Sequence, residues 1–198
     1  MDRERYNTIP QVKLSADASY TLPDALLPLR VRADSPAIEV MTDLRRIPAA
    51  TVAVDINIEE AHRTMIMRGV RLLLVTDSQR HVMGLLTAAD LLGERPVRAA
   101  QERGIKRDEL SVRDIMTSAT EIDAIALADV LHAEVGHVVA TLKAAGRQHA
   151  LVVDEDVTGQ QMIRGIFSAS QIARQLGIPL QTTEVARTFA EIEAAIGH

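Results

Sequence analysis

The chain has 198 residues, 47% of them hydrophobic, and a formal net charge of −5 with acidic and basic groups interspersed. That is enough to bury one compact core, and it argues against tracking a nucleic-acid phosphate backbone. Aromatic residues make up 2% (Tyr6, Tyr20, Phe167 and Phe189, no Trp), which leaves little for a base-stacking platform, and the absence of cysteine removes disulfides, thiolate metal sites and a Cys nucleophile.

Residues 1–36 show no clear hydrophobic period and carry four prolines, which predicts an extended N-terminal arm. The opening Met1-Asp2-Arg3-Glu4-Arg5 lacks an apolar signal-peptide core, and no run approaches ~18 apolar residues, so the expectation is a cytoplasmic protein with no membrane span. Thr51-Val52-Ala53-Val54 reads as a short strand. Ile58, Ala61, Met65 and Ile66 recur at helical spacing, with Glu59 and Arg63 expected to pair on the wet face and Gly69 to end the helix. Leu72-Leu73-Leu74-Val75 predicts a buried strand, Asp77-Ser78-Gln79-Arg80 a turn, and 82–86 the returning strand, with a short helix opening at Thr87. The linker at 93–110 offers Pro96 to start a helix and Gly104 to end it. Its basic stretch, from Arg95 to Arg107, is mixed with acids and reads as a solvated face.

The same order then recurs. Ile125-Ala126-Leu127 predicts a strand, and Val135, Val138, Val139 and Leu142 form an apolar helical stripe that Gly146 ends. Strands follow at 150–153 and 162–167, with a longer polar loop between them, and Gly177 closes the last helix of the unit. Val185, Phe189, Ile192 and Ile196 predict a terminal helix, packed either on the chain's own module or across a dimer contact.

The repetition is explicit in the residues. Val40-Met41-Thr42 returns as Ile115-Met116-Thr117, Gly69 as Gly146, Thr76-Asp77 as Val153-Asp154 and Gly84-Leu85-Leu86-Thr87 as Gly165-Ile166-Phe167-Ser168, at offsets of 75 to 81 residues. This period exceeds that of solenoid repeats and, with two copies only, predicts a pseudo-twofold pair sharing one core. The expected organisation is an arm at 1–36, a first unit at 37–92, a linker with a short helix at 93–110, a second unit at 111–177 and a C-terminal helix at 178–198. The fold class is α/β in the mixed, α+β sense.

Two β-α-β-β-α units, each preceded by Val/Ile-Met-Thr, resemble the tandem CBS-domain pair, or Bateman module; the resemblance covers 37–176. It implies a regulatory module that binds an adenosine-containing ligand in the cleft between units (AMP, ADP, ATP or S-adenosylmethionine), needs no cofactor for catalysis, signals to a protein partner and dimerises into a flat disc. The family's ligand signature, Gly-x-x-Thr/Ser-x-x-Asp, is complete in the first copy as Gly84, Thr87 and Asp90. A carboxylate there can accept from both hydroxyls of a ribose, and a hydroxyl can contact ribose or phosphate. Thr-x-x-Asp is equally a helix capping box, and the two roles can coexist. The resemblance also places Arg71 as a phosphate contact, and Leu85, Ile122, Ile125, Arg147 and Gln148 near the ligand of Asp90. In the second copy Gln171 replaces the carboxylate, so Ser168, Gln171 and His149 mark a second site that is empty, degenerate or differently specific, with Ser168-x-x-Gln171 an ordinary capping box.

His132 and His137, five apart, lack helical zinc-pair spacing, and neither a Ser-His-Asp set nor a Walker-type loop is evident, so no enzyme activity is expected. The competing reading is a ligand-independent dimerisation and interaction scaffold.

Overall fold

A computed structural model describes residues 30–178 together with Glu191, Ile192 and Ala194. After a 3-10 turn at Ala37–Val40 come β1 (Thr42–Asp43), β2 (Thr51–Ala53), α1 (Ile58–Arg68), β3 (Leu72–Thr76), β4 (Val82–Thr87), α2 (Ala88–Leu92) and α3 (Arg95–Arg103). The second half contributes α4 (Val112–Ile115), β5 (Thr117–Ser118), β6 (Ala124–Ala126), α5 (Leu127–Val130), α6 (Val135–Ala144), β7 (His149–Glu155), β8 (Gln161–Ser168) and α7 (Ala169–Gln175). The fold is a mixed α+β pair of pseudo-symmetric units, as the repeat implied.

Each unit holds a four-stranded sheet, ordered β2-β3-β4-β5 and β6-β7-β8-β1. The first two strands of each are parallel, joined through a helix, and the rest are antiparallel. Even the register irregularities correspond, falling between Val75 and Thr76 in one sheet and between Val152 and Val153 in the other.

Neither sheet is built from its own half alone. β1 leaves the first half to pair with β8, Thr42 opposite Ile166 and Asp43 opposite Gly165, while β5 pairs with β4, Gly84 opposite Ser118 and Leu85 opposite Thr117. The apolar cores follow the exchange. Ala37, Val40 and Met41 are buried with Val135, Val139, Phe167 and Ile172, whereas Leu110, Val112 and Ile115 are buried with Ile58, Leu73, Leu86 and Leu91. The segment 37–43 therefore lies in the second core although it opens the 37–92 stretch. Two ion pairs anchor the exchanged pieces: Arg164 on β8 to Asp43, with an Nη2–Oδ2 contact of 3.0 Å, and Arg103 on α3 to Asp114 on α4.

The exchange explains the glycines of the repeated strand. An added Cβ on Gly84 would meet the carbonyl oxygen of Thr117, and one on Gly165 would meet the Met41 side chain. At Gly84 only a residue without a side chain lets the crossing strand approach this closely, and at Gly165 the missing side chain leaves room for Met41.

Strand β3 is buried at four successive positions because both of its faces are covered. Leu73 and Val75 enter the first core, while Leu72 and Leu74 join Leu151, Leu85, Ile122, Ile163 and Ile166 in a third cluster between the sheets. Two expectations on α1 are corrected. Ile66 is 67% exposed, since it falls off the stripe set by Ile58, Ala61 and Met65. Glu59 pairs with Arg107 at 3.2 Å instead of Arg63, which brings the linker's 3-10 turn onto the start of the helix. At the N-terminal side, the Val31 N–H donates to the Gln175 carbonyl at 3.0 Å, so the end of the expected arm packs on α7. Ile192 is fully buried in the second core, whereas Val185, Phe189 and Ile196 lie outside the described residues.

Gly84→Ala should destabilise the fold by about 1–3 kcal/mol, and Gly165→Ala similarly. Adding Met41→Ala should recover part of the Gly165→Ala loss, because the obstruction there is a side chain. Met116→Ala should not rescue Gly84→Ala, where the obstruction is backbone. Urea denaturation of the single and double variants measures both couplings.

Candidate functional site

Of the clefts along the seam between the units, two hold the repeated segments at 84–90 and 165–171. The first, a cavity of about 310 Å³, is lined by Leu72, Leu85, Thr87, Ala89, Asp90, Arg95, Thr117, Ile122 and Asp123 on one side and by the run from Gly146 to Leu151 on the other. Its pseudo-symmetric counterpart, of about 380 Å³, is lined by residues that include Thr42, Arg68, Gly69, Arg71, Ser168, Ser170, Gln171 and Arg174. Leu72 and His149, which occupy matching positions in the repeat, line both clefts and so form the wall between them.

In the first cleft the signature residues do cap α2. The Thr87 Oγ1 accepts from the Asp90 N–H at 3.2 Å, and Asp90 Oδ2 accepts from the Thr87 N–H at 2.8 Å and from the Thr87 hydroxyl at 2.6 Å. Asp90 also faces the cleft, and its Oδ1 lies 3.1 Å from Arg95 Nη1. Arg95 is held in place by the Ile115 carbonyl at 3.1 Å and the Thr117 hydroxyl at 3.0 Å. A carboxylate offers about four acceptor positions. With Oδ2 filled twice and Oδ1 once, one position on Oδ1 stays open.

Thr87, Asp90, Leu85, Ile122, Arg147 and Gln148 are thus brought together in one cleft, and Arg147 Nη2 reaches the Glu121 carbonyl at 3.1 Å. The other sequence candidates go elsewhere. Arg71 lines the opposite cleft, because each unit supplies its helix-to-strand turn to the site of the other. Gly84 lies under the β5 crossing, and Ile125 packs against the second core. Arg95 and Thr117 were not singled out from the sequence as site residues, whereas Asp123 falls in the segment from Ile122 to Ile125 expected near the ligand. Thr117 belongs to the repeated Met-Thr pair and could have been, whereas Arg95 has no basic counterpart in the second copy.

Ser168 and Gln171 do not form the expected capping box. Gln171 Oε1 instead accepts from the Thr42 hydroxyl at 3.0 Å, and the Ser168 and Ser170 hydroxyls bond to each other at 3.1 Å. The longer amide reaches across to the exchanged strand, which a side chain bonded back to its own N-cap cannot do.

His149 has a pKa lowered to about 4 by burial and by the nearby Arg71 charge, with Asp90 pulling the other way. The wall between the clefts is therefore neutral at neutral pH.

The CBS domain family model matches residues 31–96. A CBS domain is present there. That match spans the first unit, and the architecture of the whole agrees with solved relatives. An uncharacterised conserved protein from Pyrococcus horikoshii is 22% identical with a TM-score of 0.54, covering 77% of this chain and all of that one. A CBS-domain containing protein from Agrobacterium tumefaciens is 21% identical with a TM-score of 0.52, covering 73% and 94%. At these identities the likeness establishes a shared fold. A CBS domain pair solved in complex with 5′-methylthioadenosine and S-adenosyl-L-methionine is 18% identical with a TM-score of 0.48, covering 71% and 98%. Among curated proteins no sequence gives a significant match. Among the described residues, no group of three or more His, Asp or Glu could hold a metal ion, and no helix is long and apolar enough to cross a membrane.

The half-buried neutral histidine sets a pH signature. Its folded pKa lies below the ordinary value of 6.5, so as pH falls from 6.5 towards 4 the unfolded chain takes up the proton first and stability declines. His149→Leu, which copies Leu72 at the matching position, should remove about 2 kcal/mol of the loss between pH 7 and pH 4.5. Urea midpoints of both proteins at the two pH values measure it. An unchanged acid decline would show that His149 titrates normally.

Proposed function

We propose that this CBS pair is a regulatory module that binds an adenosine-containing ligand in the cleft of Asp90. CBS-domain proteins are in general regulatory and not catalytic. The observation that carries the ligand reading is the first cleft itself. It joins aliphatic walls (Leu72, Leu85, Ile122, Leu151) suited to a purine, an open carboxylate acceptor suited to a sugar hydroxyl, and two guanidinium groups, Arg95 and Arg147, suited to a phosphate. Its volume of about 310 Å³ sits at the small end of ligand pockets. The ribose takes the remaining position on Asp90 Oδ1, and a cis-diol seeking both oxygens would have to displace Thr87 or Arg95. Regulation follows if the ligand favours one arrangement of the two units, because a ligand shifts an equilibrium only by its differential affinity. The partner that reads the change is a protein, and the exposed α1 face carrying Ile66 and Met67, 67% and 79% exposed, is available for self-association.

Calorimetric titration with AMP tests the site. AMP lacking either the 2′- or the 3′-hydroxyl should bind ~10- to 100-fold more weakly for the one that bonds Asp90, since such bonds are worth ~1.5–3 kcal/mol. In Asp90→Asn, which keeps an acceptor for the Thr87 N–H, that discrimination should vanish while the fold remains. Equal affinity of the unaltered protein for all three sugars would remove the ribose role.

Arg95→Ala should weaken AMP more than adenosine, narrowing the ratio between them. An unchanged ratio would take Arg95 out of phosphate contact. Sedimentation at micromolar concentration should give twice the chain mass, and a monomer throughout would rule out the dimer.

A further inference from the structure

Leu72 and His149 open strands β3 and β7 and form the wall between the two clefts. Further along the same strands, Leu74, Thr76, Leu151 and Val153 border a third cavity of about 730 Å³, larger than either cleft. Its inner walls come from the apolar cluster between the sheets, with Leu44, Ile122 and Ile163 beside Leu74 and Leu151. Its outer end is formed by the two hairpin turns, through Arg80 and His81 on one and Gln160 on the other. No Asp or Glu lines it, and Arg80 is its one lining residue of fixed charge.

The two turns are built alike. Asp77 Oδ1 accepts from the Gln79 and His81 N–H groups at 2.9 and 2.8 Å, and the Asp77 carbonyl accepts from the Arg80 N–H at 3.1 Å. Asp156 Oδ1 accepts likewise from Thr158 and Gln160 at 2.8 and 3.0 Å, and its carbonyl from the Gly159 N–H at 3.0 Å. Arg80 therefore corresponds to Gly159, and both take left-handed backbone, with φ of 68° and 81°. A Cβ disfavours that conformation, which is why glycine suits it. Among the described residues, Arg80 is the one non-glycine residue with positive φ. The bonds of the turn do not use its side chain, and its guanidinium makes no hydrogen bond or ion pair with any described residue. Asp77 is already engaged, its Oδ2 lying 3.1 Å from His81 Nδ1. A strained arginine that does nothing for its own turn points to a use at the mouth of the cavity.

An apolar chamber with one unpaired guanidinium at its rim suits an amphipathic monoanion. The planar fork takes a carboxylate through two parallel hydrogen bonds. The aliphatic walls take a hydrocarbon body, and about 730 Å³ falls within the range of small-molecule pockets. One fixed cation balances one negative charge, whereas a phosphate dianion would be only half neutralised.

We propose that this cavity binds a monocarboxylic acid with an apolar body of medium length, its carboxylate on Arg80 and its hydrocarbon between the sheets. The site stands independently of the nucleoside reading of the first cleft, although Ile122 and Leu151 line both.

Calorimetric titration of the full chain with decanoate, below its critical micelle concentration, should show saturable binding. Decanol, which keeps the hydrocarbon and drops the charge, should bind roughly tenfold more weakly. Arg80→Gly, which copies Gly159, should melt no lower than the unaltered protein and lose roughly tenfold in decanoate affinity. Ala124→Phe, which adds bulk from the β6 wall of the cavity, should weaken decanoate as well, with thermal melting confirming that it folds. Asp90→Asn and Arg71→Gln, in the two clefts, should bind decanoate as before. Unsaturable uptake, decanol binding as tightly as decanoate, or undiminished affinity in Arg80→Gly would overturn the assignment. If AMP fails to bind while the Arg80-dependent binding of decanoate persists, the nucleoside reading of the first cleft falls and this site stands.

Discussion

The exchange of lead-in segments is the constraint on which the rest of the structure depends. Each sheet takes its fourth strand from the segment that precedes the other unit, and each core takes apolar residues from the same piece. Neither half can complete its hydrogen-bond ladder or bury its core without the other. A unit of some 60 residues is marginal when folding alone. The exchange turns two marginal units into one cooperative body, and the exchanged pieces are fixed by the Arg164–Asp43 and Arg103–Asp114 ion pairs.

That same exchange builds the clefts. Thr117, on the crossing strand β5, holds Arg95 beside Asp90, while Thr42, on β1, holds Gln171. Each cleft then receives its far side from the opposite unit: the turn from Gly146 to Ala150 for the first, and Arg68 to Leu72 for the second. A residue and its repeat counterpart accordingly serve opposite clefts, as Arg71 and Gln148 do. The pseudo-symmetry gives two clefts at corresponding places, and substitutions within the repeat line them with different residues.

In the proposed site, Asp90 would combine capping with binding. The cap uses Oδ2, and Arg95 uses part of Oδ1. The helix terminus thereby orients a carboxylate that still has capacity for a ligand. The side chain is set before any ligand arrives, so little ordering entropy is lost on binding.

The two-copy repeat, the element order, the helix-ending Gly69 and the Thr87–Asp90 capping box were legible in the sequence, because each depends on local backbone preference or on strict period. Hydrophobic period also identified the buried faces of α6 and β3, since burial follows side-chain spacing along one element. What the sequence did not reveal was every pairing between distant segments. Val40-Met41-Thr42 was visible as a repeated motif, but nothing local says that β1 lies against β8, or that Gly84 and Gly165 are glycines because a strand from the other half crosses there. Arg95 and the displaced Arg71 belong to the same class. Their positions in the chain are plain, but the cleft each one lines is decided by how two units pack across a seam. Local sequence encodes the elements. The charge each cleft presents exists only once distant residues of the two units, such as Asp90 and Arg147 or Arg71 and Arg174, have been brought to one cleft.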